Sequence, residues 1–562
     1  MRTQTDGMKL VPYYLQERSK SLYISETYKD VTIPSYVGHL SYTDQLEAFI
    51  SRYKRRPADI KYWPYGPYWP AHFEGLLLDT PRHLVVGLQG CEPLVVGEFA
   101  NSQTTESQVT QYLGKWKGTQ LAYDSETKGC CPTLMFESRF ECGNLRQARR
   151  VNQFEYELVL KTDLYTARHT QWYYFRVTNA VPGVTYKLRI INLLKKDSLY
   201  NHGMRPLMYS EQDAKERQRG WVRTGHHISY TRSSGTNCPL LEKGITYFTL
   251  EWQMEFPNHQ DTHYLAHCYP YSFTDLKEDL ELLMNSDERS KVTRREVMCE
   301  TRAGNSCFLV TVTNFDSTVE KRAVIITARV HPGESQSSWM MKGFLEFITG
   351  PDPAAKVALY CDLHGHSRKH NVFMYGNNTS ADLGVTPLDM ARAFISERLF
   401  PWIMSVKSPD KFHFQSCKFQ IRRCKESTGR VVMWHQLRVS NSFTMEATFS
   451  GTVLDRDNRR HFNTQDFMEM GTVLAQAILE YQTVKADPVQ HTQTVLGLTR
   501  CITKQVLAYK GALCHTPLPL PPPLSLSPRK LQKWREHQTD ILNKCSSPQR
   551  WSVFNSWETT SG

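Results

Sequence analysis

The spacing of hydrophobic residues changes twice along this chain. Up to about residue 130 no period is sustained, and aromatic residues and prolines cluster in Trp63-Pro64-Tyr65-Gly66-Pro67-Tyr68-Trp69-Pro70, where proline keeps the backbone extended or turned. Residues 1–130 therefore read as an N-terminal extension packed onto the neighbouring domain, with the cluster as an alternative docking strip for a partner. From 131 to 270, short runs rich in Val, Tyr, Phe, Trp and Thr recur at 154–160, 171–178, 185–193 and 247–254. Turn residues such as Asn179-Ala180-Val181-Pro182-Gly183 fall between them. Regularly spaced short strands of this kind predict an all-β antiparallel sandwich. After Tyr271 strand-like and helix-like spacing alternate, which predicts an α/β domain over 271–485, a mixed sheet flanked by helices. Its expected elements are strands at 308–313, 323–330 and 357–363, and a helix at 337–348 with Trp339, Met340, Phe344 and Phe347 on one broad face. Residues 486–562 read as a proline-containing linker, with a proline run at 518–523, followed by a basic tail, partly disordered.

Composition narrows the class. With 40% hydrophobic and 22% charged residues over 562 positions the chain is globular, and wholesale disorder and fibrous architectures are excluded. The length is that of two or three folded units plus tails. The formal charge of +12 attracts acidic partners. No zinc-finger spacing, basic heptad helix or RNA-binding strand signature accompanies it, so a nucleic-acid partner is not expected. Residues 1–20 lack the apolar core of a secretory signal, and apolar runs such as 323–326 are far short of the roughly 20 residues a membrane span needs. Cytosol is the expected location, with no membrane span. The 14 cysteines, scattered without CxxC spacing, read as buried or incidental thiols.

The chemistry lies in His331-Pro332-Gly333-Glu334 and in His364-Gly365-His366. Each motif comes directly after a predicted strand, and a helix lies between them. Such a crossover is right-handed and leaves its two strands parallel, so both motifs emerge at one sheet edge. Beyond the carboxyl ends of parallel strands is where open α/β folds build their sites. His331 and Glu334, on a tight turn, and His364, at the neighbouring strand end, form a two-histidine, one-carboxylate set that leaves a position open for water, as in a catalytic zinc site. Glu446, in Ser442-Phe443-Thr444-Met445-Glu446-Ala447-Thr448-Phe449, is an isolated acid in an apolar, strand-like run. A buried carboxylate is costly unless paired or functional, which makes it the candidate general acid/base. Taken singly, each residue has a plainer reading: a surface or capping histidine for His331, and a solvent-facing acid on an edge strand for Glu446.

These residues resemble the cytosolic carboxypeptidases, the intracellular branch of the zinc metallocarboxypeptidases, and most of all types two and three. The likeness runs through Phe136-Glu137-Ser138-Arg139-Phe140-Glu141, Gly143-Asn144-Leu145, Gln171-Trp172-Tyr173-Tyr174-Phe175-Arg176-Val177, Ser198-Leu199-Tyr200, Gly203-Met204 and His267-Cys268-Tyr269-Pro270-Tyr271. It continues in the two histidine motifs, the second preceded by Cys361-Asp362-Leu363 and followed by Ser367-Arg368-Lys369. It ends in Thr428-Gly429-Arg430-Val431-Val432-Met433-Trp434 and the Glu446 strand. The resemblance implies a β-sandwich ahead of a zinc-carboxypeptidase-like α/β domain, and one Zn2+ ion on His331, Glu334 and His364. It further implies Glu446 as acid/base, and removal of glutamates from polyglutamylated tubulin or other acidic protein tails. By the same resemblance His366 lines the substrate pocket. Arg430 stands where the family places the residue that sets side-chain preference, and a guanidinium there suits a glutamate carboxylate.

The chain departs from the family in one place. Only 29 residues, 335–363, separate Glu334 from His364. The longer family segment carries an Asn-Pro-Asp-Gly turn, an arginine that polarises the scissile carbonyl, and an Asn-Arg pair that grips the terminal carboxylate, none of which is present here. What remains still forms a whole strand-helix-strand unit, as after omission of a coding segment. Arg368 and Lys369 are the nearby basic residues that can stand in. Two further readings stay open: a catalytically weak protein that binds acidic tubulin tails, and an amidohydrolase of related fold, against which the upstream sandwich motifs speak. The N-terminal extension and the tail are where an address to centriole, basal body or cilium would lie.

Overall fold

Alternation of side chains builds the first layers. In the strand Tyr186–Leu193, Tyr186, Leu188 and Ile190 are buried while Lys187 and Arg189 point the other way. On that outer face Arg189 reaches Glu157 at 3.3 Å and Glu251 at 3.2 Å, and Lys187 reaches Glu251 at 3.1 Å. One face is therefore an ion-pair lattice and the other is core, as expected for a half-solvated antiparallel sheet.

The structure is a computed structural model that describes Ile60–Tyr62, His83–Val85, Gln120–Asp124 and residues 134–509, apart from 164–165, 167–168, 234–237, 239–240, 243, 302, 320, 351–357, 379–385 and 455–458. The cluster at 63–70 and the tail from 510 onward lie outside the described residues. The chain divides into two units, Met1–Asp59 with Val297–Leu309, and Ile60–Glu296 with Val310–Gly562. Of the first, only residues within Val297–Leu309 are described; they form most of a hairpin, β14 (Thr293–Glu300) and β15 (Ser306–Val312).

The second unit carries the sandwich and the site. Among the described residues β1 (Ile60–Tyr62) and β2 (His83–Val85) pair only with each other. A six-stranded sheet runs β11 (His226–Arg232), β12 (Phe248–Met254), β8 (Tyr186–Leu193), β6 (Glu155–Leu160), β5 (Leu145–Asn152) and β3 (Gln120–Asp124). A five-stranded sheet runs β10 (Val222–Arg223), β9 (Leu207–Ser210), β13 (His263–Ala266), β7 (Tyr174–Thr178) and β4 (Met135–Glu137). Aromatic residues fill the space between the sheets: Phe136 of β4 lies 5.4 Å from Tyr156 of β6, ring to ring. All pairings are antiparallel except that of β6 with β8, which is parallel. The purely antiparallel expectation is corrected there. β6 and β8 are joined by a connection that contributes β7 to the opposite sheet, and a strand that crosses sheets and returns re-enters in the same direction.

The helices are α1 (Glu211–Arg217), which precedes β13, and then α2 (Phe273–Met284), α3 (Ser335–Ile348), α4 (Pro387–Lys407), α5 (Gly429–His435), α6 (Thr464–Ala486) and α7 (Pro488–Tyr509). A four-stranded sheet has the order β16 (Val324–Ala328), β17 (Leu359–His366), β19 (Asn441–Thr448) and β18 (Val372–Tyr375). β16, β17 and β19 are parallel and β18 is antiparallel, so the sheet is mixed, as expected. A short pair, β20 (Gly451–Thr452) and β21 (Arg460–His461), comes next. The strand expected at 308–313 exists, but as part of the β14–β15 hairpin and not of this sheet.

Helices cover both faces of the mixed sheet. α3 packs where Gln336 touches Gly365, and α5 where Gly429 meets the Tyr360 hydroxyl. α3 and α6 cross at bare backbone: a Cβ on Gly343 would sit 2.0 Å from the Met468 carbonyl oxygen, and one on Gly471 would sit 1.9 Å from that of Met340. Residues 488–509, read from sequence as the start of the linker, are instead helix α7, with Leu498 fully buried and Val495, Cys501 and Ile502 packed on the core. The polar residues between these apolar positions mask their helical spacing. Among the described residues no helix is long and apolar enough to cross a membrane.

Candidate metal centre

The parallel register aligns side chains in rows across one face of the mixed sheet. Thr327, Asp362, Thr444 and Tyr375 are successive partners in one row; His364, Glu446 and Phe373 form the next. Side chains of directly paired residues point to the same side. Glu446 is thus placed beside His364 by strand pairing alone, in the middle of the sheet, and the edge-strand reading of Glu446 does not apply.

His331 and Glu334 approach from the β16–α3 turn. Arg329 adopts a left-handed φ of 63° and redirects the chain at the end of β16. Its Nε then donates to the Pro332 carbonyl at 2.8 Å and its Nη1 to the Tyr271 carbonyl at 3.0 Å, which ties the turn to the end of the sandwich. Glu334 N donates to His331 O at 3.1 Å, and Glu334 sits at the N-terminal boundary of α3. Its Oε2 accepts from Gly365 N at 3.0 Å and lies 3.1 Å from His364 Nδ1. One ligand atom each from His331, Glu334 and His364 lie within 4.8 Å of one another; His331 is exposed, Glu334 buried and His364 half-buried. Two imidazoles and a carboxylate that converge from a turn and a strand end suit a borderline-soft divalent ion, zinc foremost, with one side left open.

Asp362 stands behind His364. His364 Nε2 donates to Asp362 Oδ2 at 2.7 Å, and Asp362 Oδ1 accepts from Thr327 Oγ1 at 2.6 Å. Burial opposes the charge on His364, but the hydrogen bonds to Asp362 and Glu334 outweigh it and push its pKa up to about 10. A carboxylate on the far nitrogen of a ligating histidine fixes the ring and its tautomer. Asp362 escapes a motif reading. The available signal was its place two residues before His364 on a strand, hence on the same face. Desolvation pushes the Glu446 carboxyl up to about 7, with His364 pulling it down and Glu334 raising it.

The three expected substrate residues are not equally placed. His366, next on the same face, rests its ring against Phe373 at 5.2 Å. Its Nδ1 accepts from the backbone of Arg368 at 3.2 Å and of Lys369 at 3.0 Å, and burial pushes its pKa down to about 3. Arg368 is exposed. Arg430, in α5, is buried, and its Nη1 donates to the Gly376 carbonyl and to Asn377 Oδ1, both neutral. Desolvation lowers its pKa to about 10. Tyr375, one row from Glu446, lies within electrostatic reach of Arg368, Arg422 and Arg430. The sandwich also reaches the site, a link invisible in sequence: Lys195 Nζ donates to Ser367 Oγ at 2.8 Å, and Leu199 N donates to Ser367 O at 3.1 Å.

Residues 136–267 match the sequence model of the cytosolic carboxypeptidase N-terminal domain. Over 438 residues the chain is 40% identical to cytosolic carboxypeptidase 2 of Danio rerio, covering 66% of this chain and 58% of that protein. Over 432 residues it is 40% identical to cytosolic carboxypeptidase 3 of Bos taurus, covering 65% and 42%. The chain belongs to the cytosolic carboxypeptidase family. Human cytosolic carboxypeptidase 2 is 37% identical over 441 residues, 66% of this chain and 47% of that one, so the chain spans about half the length of the family members it matches. A solved metallo-carboxypeptidase from Burkholderia cenocepacia aligns with a TM-score of 0.47 and 16% identity, over 62% of this chain and 99% of that one.

Proposed function

We propose that this chain is a zinc-dependent carboxypeptidase of the deglutamylase type, acting on C-terminal or side-chain-linked glutamates of polyglutamylated proteins such as tubulin. The observation that carries the reading is the row His364–Glu446 facing Glu334 and His331: a metal-ligand set with a carboxyl of raised pKa beside it. His331, Glu334 and His364 would hold the zinc, which when bound supplies Lewis acidity to a carbonyl and to water. Glu446, poised near neutral pH, takes the proton of the attacking water and returns it to the leaving amine. Arg430 offers a buried cation with only neutral acceptors around Nη1, a setting in which an incoming glutamate carboxylate would gain most. Lys195, Arg368 and Lys369 extend the positive field around the site, and His366 lines its floor. The expected compartment is the cytosol, including microtubule-based structures such as centriole and cilium.

A second reading is favoured by the short 335–363 segment, in which only ten residues, 349–358, lie between α3 and β17. Removing a single oxyanion donor costs about 100- to 1000-fold in comparable sites, so a chain without the family's arginine would bind acidic tails and turn them over weakly. One experiment separates the readings. The zinc-loaded chain is incubated with a peptide ending in a glutamate tail, and free glutamate is measured beside Glu446→Gln. Release above that control supports the enzyme. Capture of the peptide with no release above control supports the binding protein, and failure to bind zinc removes the proposed mechanism.

A further inference from the structure

The β14–β15 hairpin carries two cysteines that the metal centre does not use. Thr301 N donates to Asn305 O at 2.8 Å, which closes the turn. Two residues further along each strand, Cys299 and Cys307 come opposite one another, and their thiols are in mutual hydrogen-bond contact. Cys299 is exposed and Cys307 half-buried, and both are free thiols. Opposed residues of an antiparallel pair lie about 4.5–5.5 Å apart at Cα, within the range of about 4.4–6.8 Å that a disulfide spans. Every residue of β14 after Thr293 is exposed, Val297 by 58% and Met298 by 60%. A two-stranded ribbon without a core is marginal in water.

We propose that Cys299 and Cys307 form a reversible redox pair, closed by a small disulfide of the glutathione class into a covalent strap across the hairpin. Cys299, the more accessible, attacks one sulfur of oxidised glutathione; the glutathione S–S bond breaks and one glutathione thiol leaves. Cys307 then attacks the Cys299 sulfur of the mixed disulfide and releases the second. The two cysteines lose two electrons and two protons, and the oxidised glutathione, having gained them, departs as two thiols. The spacing of seven intervening residues matches no CxxC pattern, and only strand pairing brings the two together.

The turn supplies its own diagnostic, because trypsin cuts after Arg295, Arg302 and Lys321 and so places the two cysteines on separate peptides, 296–302 and 303–321. The full chain is equilibrated with oxidised and reduced glutathione, its remaining thiols are alkylated, and the digest is read by mass spectrometry. The expected product is the two peptides joined and two hydrogens lighter than their sum, separated again by reduction, with several-fold less of it when oxidation is done in denaturant. Cys299→Ser should abolish it without creating another cross-link to Cys307. Peptides recovered separately as glutathione adducts or alkylated thiols, cross-links to other cysteines, or equal yield in denaturant would each overturn the proposal.

Discussion

Asp362→Ala tests whether His364 is a ligand held from behind. In the native chain the His364 ring is bracketed, with Nε2 at 2.7 Å from Asp362 Oδ2 and Nδ1 at 3.1 Å from Glu334 Oε2. Nδ1, which faces Glu334, is the nitrogen that would hold a metal there, and the remaining ring proton would then lie on Nε2, facing Asp362. Truncation removes the carboxylate that fixes that tautomer and leaves a half-buried N–H without its acceptor. Loss of such an outer partner costs about 10- to 100-fold in metal affinity, which is about 1.4–2.7 kcal/mol. Asp362→Asn can keep an acceptor oxygen toward Nε2 while removing the charge, so it should fall between wild type and Asp362→Ala. The assay is zinc competition against a chromogenic chelator at neutral pH, with circular dichroism to show that each variant is folded. Equal zinc affinity in wild type and Asp362→Ala would refute the bracketed-ligand reasoning, whatever the activity of either.

Arg430→Gln should cut the preference for glutamate over glutamine tails by about 10- to 100-fold in kcat/KM, the worth of one hydrogen bond to a charged group; an unchanged ratio sinks that role. Gly471→Ala gains about 1 kcal/mol in helix propensity but drives a methyl into the Met340 carbonyl oxygen at 1.9 Å. It should therefore lower the melting temperature and, by shifting α3 and its terminal Glu334, weaken zinc binding. Gly497→Ala in α7, whose Cβ would meet Trp402 at an ordinary 3.5 Å, should raise the melting temperature by up to the same propensity term, and a fall there would contradict the packing. Acid should destabilise the fold: burial pushes His267 down to about 3 and His263 down to about 4, both below the ordinary 6.5. The unfolded chain then takes up protons first as pH drops. The stabilisation from neutral His267 is complete above about pH 6.5 and is lost toward pH 3 at about 1.4 kcal/mol per pH unit, with His263 adding in the same direction. Denaturant midpoints that do not fall between pH 7 and pH 5 would exclude this, and His267→Phe should flatten the slope.

Residue type and side-chain spacing were enough to foresee the strands and the helix that carry His331, Glu334 and His364. Short runs rich in Val, Tyr, Phe, Trp and Thr at 185–193 and 247–254 anticipated β8 and β12, helical spacing at 337–348 anticipated α3, and apolar β-branched runs anticipated β16 and β17. The handedness of a strand-helix-strand crossover was then sufficient to bring the His331-Glu334 turn and His364 to one edge. Period is a local property, and it states which way a residue faces without naming its neighbour. The pairing of β17 with β19, which sets Glu446 beside His364, joins strands far apart in sequence, as does the parallel pairing of β6 with β8. The same holds for Lys195 reaching over from the sandwich and for the burial of Arg430 against Gly376, whereas Asp362 behind His364 is a two-residue relation that strand period could have shown. Each non-local contact depends on backbone register or on a close approach that the whole core must agree on. The sequence therefore determined the layers and the residues that can bind metal, whereas tertiary packing decided which distant groups surround them, because non-local pairing is settled by the sum of burial across the sheet and not by any segment alone.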